Sequence, residues 1–376
     1  MKVPLYVPWI SDKDKSAVLK GLQNPHLTDG PQLRILEKHF SKKTGTNYAI
    51  GVSNGTAALH LSLLSLNIGK NDEVLIPDYT FAATANAVFL TNAKPVLVDI
   101  DRSLNISEES ILSKINKKTK AIIPVHFAGL ACNMKKIIKL SKEYNLKIIE
   151  DCAHSFGTLY KKKYVGSFGD VGCFSMYPTK NITTIEGGMI VTNSKNVARK
   201  SELLRNHGLS RTLVNRNNTK KPWDYDIITH GYNYRLDEIR SRLGISQILR
   251  SKKIRSKRIG AAKYYNKKLP NDDCIEVVNL DRESEHSYHL YIIRIKQKSK
   301  ISRNSLHEKL FKSGIKTTVH YKPLHMFSYF KKLKINPKDF PLSENAYTEC
   351  LTLPLFPTIT RSQQDFVIKN IQKHVY

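Results

Sequence analysis

Two residues of this chain have side chains and settings suited to covalent chemistry, Lys180 and Asp151. Lys180 stands in Phe174-Ser175-Met176-Tyr177-Pro178-Thr179-Lys180-Asn181, past the strand-like run Val171–Tyr177 and ahead of Gly187-Gly188. Asp151 lies just beyond the apolar run Leu146–Ile149, in Glu150-Asp151-Cys152-Ala153-His154. A lysine moved out of water gives up its proton more readily and turns nucleophilic. A carboxylate at a buried strand end is costly unless something pairs with it. An amine and an acid at neighbouring strand ends suit pyridoxal phosphate: the amine captures its aldehyde and the acid keeps its pyridine nitrogen protonated. Taken alone, Asp151 reads equally as a helix N-cap or a magnesium ligand, and Lys180 as one solvated lysine among many.

Further polar equipment surrounds this pair. In Val52-Ser53-Asn54-Gly55-Thr56-Ala57 a strand runs into a small-residue turn, and a helix starts near Thr56. Free N–H groups and the helix dipole make such a junction an anion site, with Thr56 adding a hydroxyl; a plainly capped helix is the other reading. No G-x-G-x-x-G fingerprint opens a βαβ unit, which argues against a dinucleotide. Ser175, upstream of the lysine, offers a phosphate ligand. Phe81, in Pro77-Asp78-Tyr79-Thr80-Phe81, begins a helix after a strand and either stacks on a flat ring or packs in the core. His154 either bonds a cofactor phenolate or is structural. Gly231-Tyr232-Asn233-Tyr234-Arg235 brings two phenols, an amide and a guanidinium to a helix start, as a cap or a phosphate contact.

Positioning these residues requires a sheet. Short β-rich runs at Tyr48–Ser53, Glu73–Pro77, Pro95–Asp99, Ala121–Val125, Lys147–Asp151, Gly172–Tyr177 and Met189–Thr192 alternate with helical patterns, clearest at Met134, Ile137, Ile138, Leu140 and Tyr144. Nearly continuous apolar strands alternating with helices predict an α/β fold, a mainly parallel sheet sandwiched by helices. Its ligand site belongs beyond the strands' carboxyl ends, where Asp151 and the Ser53 turn both fall. A helical arm (Asp12–Gln23) and a helix from Gln32 precede the sheet, and a polar, basic loop spans Leu209–Asp226. One long helix from Leu236 to about Lys268 is expected to link two domains, 1–245 and 246–376. The second is a small α+β unit with a strand at His289–Ile295, a helix at Ser305–Ser313, a strand at Thr317–Tyr321 and a helix near Gln363–His374.

Composition narrows the function class. With 376 residues, 40% hydrophobic and 9% aromatic, the chain has the make-up of a globular protein rather than a disordered one. Its net charge of +29 is spread over clusters such as Lys161-Lys162-Lys163 and Lys252–Arg258. That charge reads as a solvated surface, or as attraction to polyanions or a phosphorylated substrate. No zinc-finger, RRM or basic-zipper pattern supports a nucleic-acid binder. Five cysteines without a C-x-x-C pair imply neither a disulfide framework nor a metal site. The stretch Met1-Lys2-Val3-Pro4 lacks the apolar core expected of a signal peptide and no run approaches membrane-spanning length, so a cytoplasmic location is expected.

Together and in this order the motifs resemble the DegT-type nucleotide-sugar aminotransferases, a branch of the fold type I pyridoxal phosphate enzymes. The likeness runs nearly end to end, through Leu27–Pro31, Ser53–Leu61, Asp72–Phe81, Glu150–Gly157, Phe174–Gly188, Gly231–Arg235, Val319–His325 and Leu353–Pro357. It implies that Lys180 bonds the cofactor's aldehyde carbon and Asp151 its ring nitrogen. Gly55, Thr56 and Ser175 would hold the phosphate, with Asn233 reaching in from a neighbouring subunit. Phe81 would stack on the ring and His154 would sit near the phenolic oxygen, where many members carry glutamine. Thr28, Tyr232, Arg235, His320 and Tyr321 are the expected substrate residues. The implied reaction moves an amino group from L-glutamate to a keto-sugar on a nucleoside diphosphate, in a homodimer with active sites at the interface. A non-nucleotide ketone or a dehydration are the alternatives; relatives that dehydrate replace the lysine with histidine, and here the lysine is present.

Overall fold

Nearly continuous apolar runs along the strands decide how the central sheet is covered. In the structure, a computed structural model describing residues 1–23, 25–28, 30–210, 220–278 and 284–376, nine strands precede residue 200. They are β1 (Tyr48–Val52), β2 (Glu73–Pro77), β3 (Lys94–Val98), β4 (Thr119–Ile122), β5 (Lys147–Asp151), β6 (Leu159–Tyr160), β7 (Lys163–Tyr164), β8 (Val171–Ser175) and β9 (Gly188–Thr192). Seven form one sheet in the order β1-β9-β8-β5-β4-β2-β3. Only β9 runs against its neighbours, β1 and β8; the other pairings are parallel. Asp29 and the middle of the Leu209–Asp226 segment lie outside the described residues.

Successive strand residues point to opposite faces. Leu75, Ile148, Phe174 and Met189 pack with Leu36, Phe40 and Ile137 from the helices Pro31–Thr44 and Met134–Glu143. Ile76, Ile149, Cys173 and Ile190 pack on the other face with Ala58, Leu61, Val88 and Val197 from the helices Gly55–Ser65, Ala82–Leu90 and Lys195–Arg205. Both faces are thus covered, which is why the strands read as unbroken apolar runs rather than as alternation. The expected α/β architecture is borne out.

A second sheet of three antiparallel strands, β10 (Ile275–Val277), β12 (Tyr291–Ile295) and β13 (Cys350–Leu353), packs against Ser251–Lys268, Arg303–Lys312 and Arg361–Val375. The two-residue β11 (Ser284–Glu285) pairs instead with β6. Two expectations need correction. Thr317–Tyr321 is not a strand: Thr318 makes a single bridge to Thr352. The helix expected from Leu236 to Lys268 is two helices, Glu238–Leu249 and Ser251–Lys268, separated at Arg250. The Arg250 guanidinium is held by Asp14 at 2.5 Å, by the Trp9 carbonyl and by the Trp9 ring at 4.6 Å, tying the break to the N-terminal arm.

One buried ion pair fixes the strand end nearest the site. Glu37 accepts from the Gly51 amide at 2.9 Å and from Arg205 at 2.6 Å, while Arg205 donates to the Gly51 carbonyl at 2.7 Å. Both side chains are buried beside β1. Arg205→Met is expected to destabilise the protein by about 3 kcal/mol in chemical denaturation, at the low end for a broken buried pair because Arg34 still bonds Glu37.

Candidate active site

Strand register brings the first part of the site together. Gly188 pairs with Val52 on one side and Ser175 on the other, so the carboxyl ends of β1 and β8 meet at the start of β9. A Cβ on Gly188 would lie 2.2 Å from the Asn54 carbonyl oxygen, and one on Gly55 2.9 Å from Ser175 Cβ. Glycine is required where these backbones approach. Asn54 caps the helix Gly55–Ser65 by accepting from the Ala57 amide at 2.8 Å. The amides of Gly55 and Thr56 have no partner among the described residues and form an anion cradle at the helix N-terminus.

Asp151 ends β5 and is buried. Its two oxygens accept from Thr84 Oγ1 and the Ala153 amide, each at 3.0 Å. Burial outweighs these bonds and raises its pKa above the usual carboxylate value. The adjacent Glu150 points to the opposite face, where it accepts from His126 and from the Gly166, Phe168 and Gly169 amides. Lys180 follows β8 in a turn closed by its own amide on the Tyr177 carbonyl at 2.9 Å. Next to it, Asn181 donates to the carbonyls of Phe156 and Ser287, pinning the segment. Burial lowers the Lys180 pKa to about 8, with Asp151 pulling the other way, and no salt bridge engages its amine among the described residues.

These groups open on one cavity of about 730 Å³. Of the residues singled out in the sequence, Gly55, Thr56, Phe81, Asp151, His154, Ser175, Lys180, His320 and Tyr321 line it. Phe81 stands exposed at the N-cap of Ala82–Leu90, its ring 5.7 Å from that of Tyr321. His320 is held by Thr352 Oγ1 at 3.0 Å, and burial together with Lys180 lowers its pKa to about 4. Thr28, Tyr232, Asn233 and Arg235 lie off the lining; Thr28 and Asn233 are exposed, and Arg235 bonds Asn206 at 2.8 Å.

Some lining residues escaped the sequence reading. Thr84 bonds Asp151, but nothing in a helix of small residues marks it. Tyr234 lines the cavity while Tyr232 does not, although their rings stack 5.1 Å apart. Glu186, ahead of the glycine pair, also reaches the cavity.

Residues 8–372 match the DegT/DnrJ/EryC1/StrS aminotransferase family. The chain belongs to this family. A relative in Methanocaldococcus jannaschii, the uncharacterized protein MJ1066, is 39% identical, with 99% of this chain and 97% of that protein aligned. Among solved structures, Helicobacter pylori PseC, an aminotransferase involved in the biosynthesis of pseudoaminic acid, superposes with a TM-score of 0.93 at 29% identity, covering 100% of this chain and 99% of that one. Spr1654 from Streptococcus pneumoniae superposes as well in its PMP form, with a TM-score of 0.93 at 28% identity over 100% and 99% of the two chains, and it is also solved in a PLP form. The fold is that of these pyridoxal phosphate aminotransferases, and the cavity in this family member fits the cofactor on its own chemistry. The free amides of a helix N-terminus suit a phosphate, the buried Asp151 carboxylate suits a cation, and the Lys180 amine, in no salt bridge among the described residues, opens on the same cavity.

Proposed function

We propose that the enzyme is a pyridoxal phosphate-dependent sugar aminotransferase that moves an amino group from L-glutamate to a keto-sugar carried on a nucleoside diphosphate. The observation that carries this reading is that Lys180 and Asp151 line one cavity together with the Gly55–Thr56 anion cradle. Bound pyridoxal phosphate supplies an aldehyde that carries the amino group and a ring that acts as an electron sink. Asp151 holds the ring nitrogen in its protonated form, a charge-assisted bond that relieves the cost of the buried carboxylate. Gly55, Thr56 and Ser175 orient the phosphate, and Phe81 covers one face of the ring. The Lys180 amine, half-buried and of lowered pKa, would hold the cofactor through its aldehyde carbon with loss of water, and when free would move the α-proton as acid and base.

A homodimer accounts for the residues off the lining. Phe81, Leu90, Tyr177 and Ile185 are exposed at or beside the cavity, an apolar rim suited to a second copy. Asn233, exposed here, reaches the phosphate of the neighbouring subunit. Thr28, Tyr232, Arg235, His320 and Tyr321 contact the sugar or its nucleotide. The test is to load the protein with pyridoxal phosphate, add glutamate, and assay free against nucleotide-linked keto-sugars. Glutamate alone is expected to release one equivalent of 2-oxoglutarate per active site, and continued formation beyond it only with the nucleotide-linked acceptors; equal turnover of the free ketones overturns the nucleotide assignment.

The charge of +29 suggests a second measurement. If basic groups steer a dianionic nucleotide, kcat/KM falls as salt shortens the Debye length, by about tenfold between 0.01 and 0.5 M. A flat response removes steering from the account.

A further inference from the structure

The hydrogen-bond polarity around His154 assigns a role to Tyr321 that neither residue has alone. His154 is buried, 5% exposed, and each ring nitrogen has one partner. Nδ1 lies 3.4 Å from the Ala128 nitrogen, and Nε2 lies 3.1 Å from the Tyr321 hydroxyl. A backbone N–H can only donate, so Nδ1 accepts and carries no hydrogen. Flipping the ring would face both partners with carbon and lose both bonds, which fixes the ring's orientation.

The Ala128 amide has little freedom to turn away. Ala128 has φ +56°, its carbonyl accepts from the amides of His289 and Leu290, and the Phe127 amide before it donates to Asn105 at 3.0 Å. The His289 ring packs against His154 at a tilt of 42°, with the ring centroids 4.4 Å apart. Burial, with Lys180 and His320 nearby, keeps the His154 pKa well below its ordinary value, so the imidazole is neutral. A neutral ring with a bare Nδ1 carries its hydrogen on Nε2.

We propose that His154 is held as the Nε2–H tautomer, donates to the Tyr321 oxygen, and so turns the Tyr321 hydroxyl hydrogen into the cavity. His154 is then a positioning residue, and Tyr321 is a dedicated donor for an anionic oxygen of whatever occupies the site. The inference rests on the cofactor reading above for what that oxygen is: the ring phenolate of pyridoxal phosphate, or an oxygen of the sugar substrate. It differs from the expectation that His154 itself reaches the phenolate, because the Nε2 hydrogen is already given to Tyr321.

The tautomer is testable without cofactor. In the nitrogen-15 histidine spectrum of the full-length, cofactor-free protein at neutral pH, the His154 signals are identified by their absence in His154→Gln. Tyr321→Phe provides a second identification, since only the Nε2 signal of His154 should move. A protonated Nε2 and a bare Nδ1 are expected; a hydrogen on Nδ1 overturns the proposal. The acceptor is read with Tyr321→Phe titrated with pyridoxal phosphate and then assayed. Cofactor affinity falling about tenfold, the size of one hydrogen bond to a charged oxygen, with a shifted visible band, points to the phenolate. A comparable rise in KM for the keto substrate alone points to the sugar, and no change in either overturns the donor role. Should the parent protein give no visible band with pyridoxal phosphate, the reading of Lys180 fails instead, and the tautomer result stands apart from it.

Discussion

Lys180→Ala is expected to lower turnover by at least about 10⁴-fold and to abolish the visible absorbance of the cofactor-loaded protein, because nucleophile and proton shuttle vanish together. Lys180→Arg should lose as much. It keeps a positive charge, but arginine stays protonated and cannot attack a carbonyl. The pair of variants therefore separates the amine's charge from its reactivity. Neither should melt earlier than the parent, since the amine has no salt bridge among the described residues and its burial costs stability rather than adding to it. The amine's pKa of about 8 gives the sign of the pH response. Below that value the amine is protonated and inert, so cofactor capture by the empty protein should quicken as pH rises and level off above about 8. Turnover retained in Lys180→Ala would sink the assignment.

Asp151→Asn should cost about 10³-fold in kcat, since a neutral amide cannot keep the ring nitrogen protonated. In the empty protein the same substitution should hold or raise the melting temperature near neutral pH. The sign follows from the raised pKa. Below the unfolded value, folded and unfolded chains both hold the proton and the residue is neutral in its effect. As pH rises through that value the unfolded chain releases its proton first, and stability falls until the folded pKa is passed. Asparagine removes this penalty and can still bond Thr84 and the Ala153 amide. An empty Asp151→Asn protein that melts well below the parent would mean that the carboxylate serves the fold rather than the cofactor.

The strands were legible because burial on two faces leaves long apolar runs, and the site followed because ligands gather beyond their carboxyl ends. Asp151, Lys180 and the Ser53–Thr56 turn were readable on that ground. Other features had no local signature. Arg250 interrupts a helix without glycine or proline, through contacts with Asp14 and Trp9 far away in sequence. Tyr232 and Tyr234 are two apart in an extended stretch and share a face, so spacing cannot say which end abuts the cavity. The stretch Thr317–Tyr321 has strand composition but makes one bridge, and its last two side chains, His320 and Tyr321, line the cavity. The hydrogen bond from His154 to Tyr321 joins residues 167 apart in sequence and could be seen only in three dimensions.

The reversed direction of β9 bears on how this scaffold can change its chemistry. A parallel β8–β9 pair would have demanded a crossover helix, carrying the chain away from the sheet's ligand edge. Running antiparallel, the twelve residues Met176–Gly187 leave and return at that one edge, anchored there by the buried Met176 and Ile182. Single exchanges there, the lysine included, can alter the reaction while every strand keeps its neighbours. The segment divides its labour by position: Met176 and Ile182 are set in the core while Tyr177, Lys180 and Glu186 face the cavity, so catalytic variation confined to the cavity-facing positions carries little risk to folding.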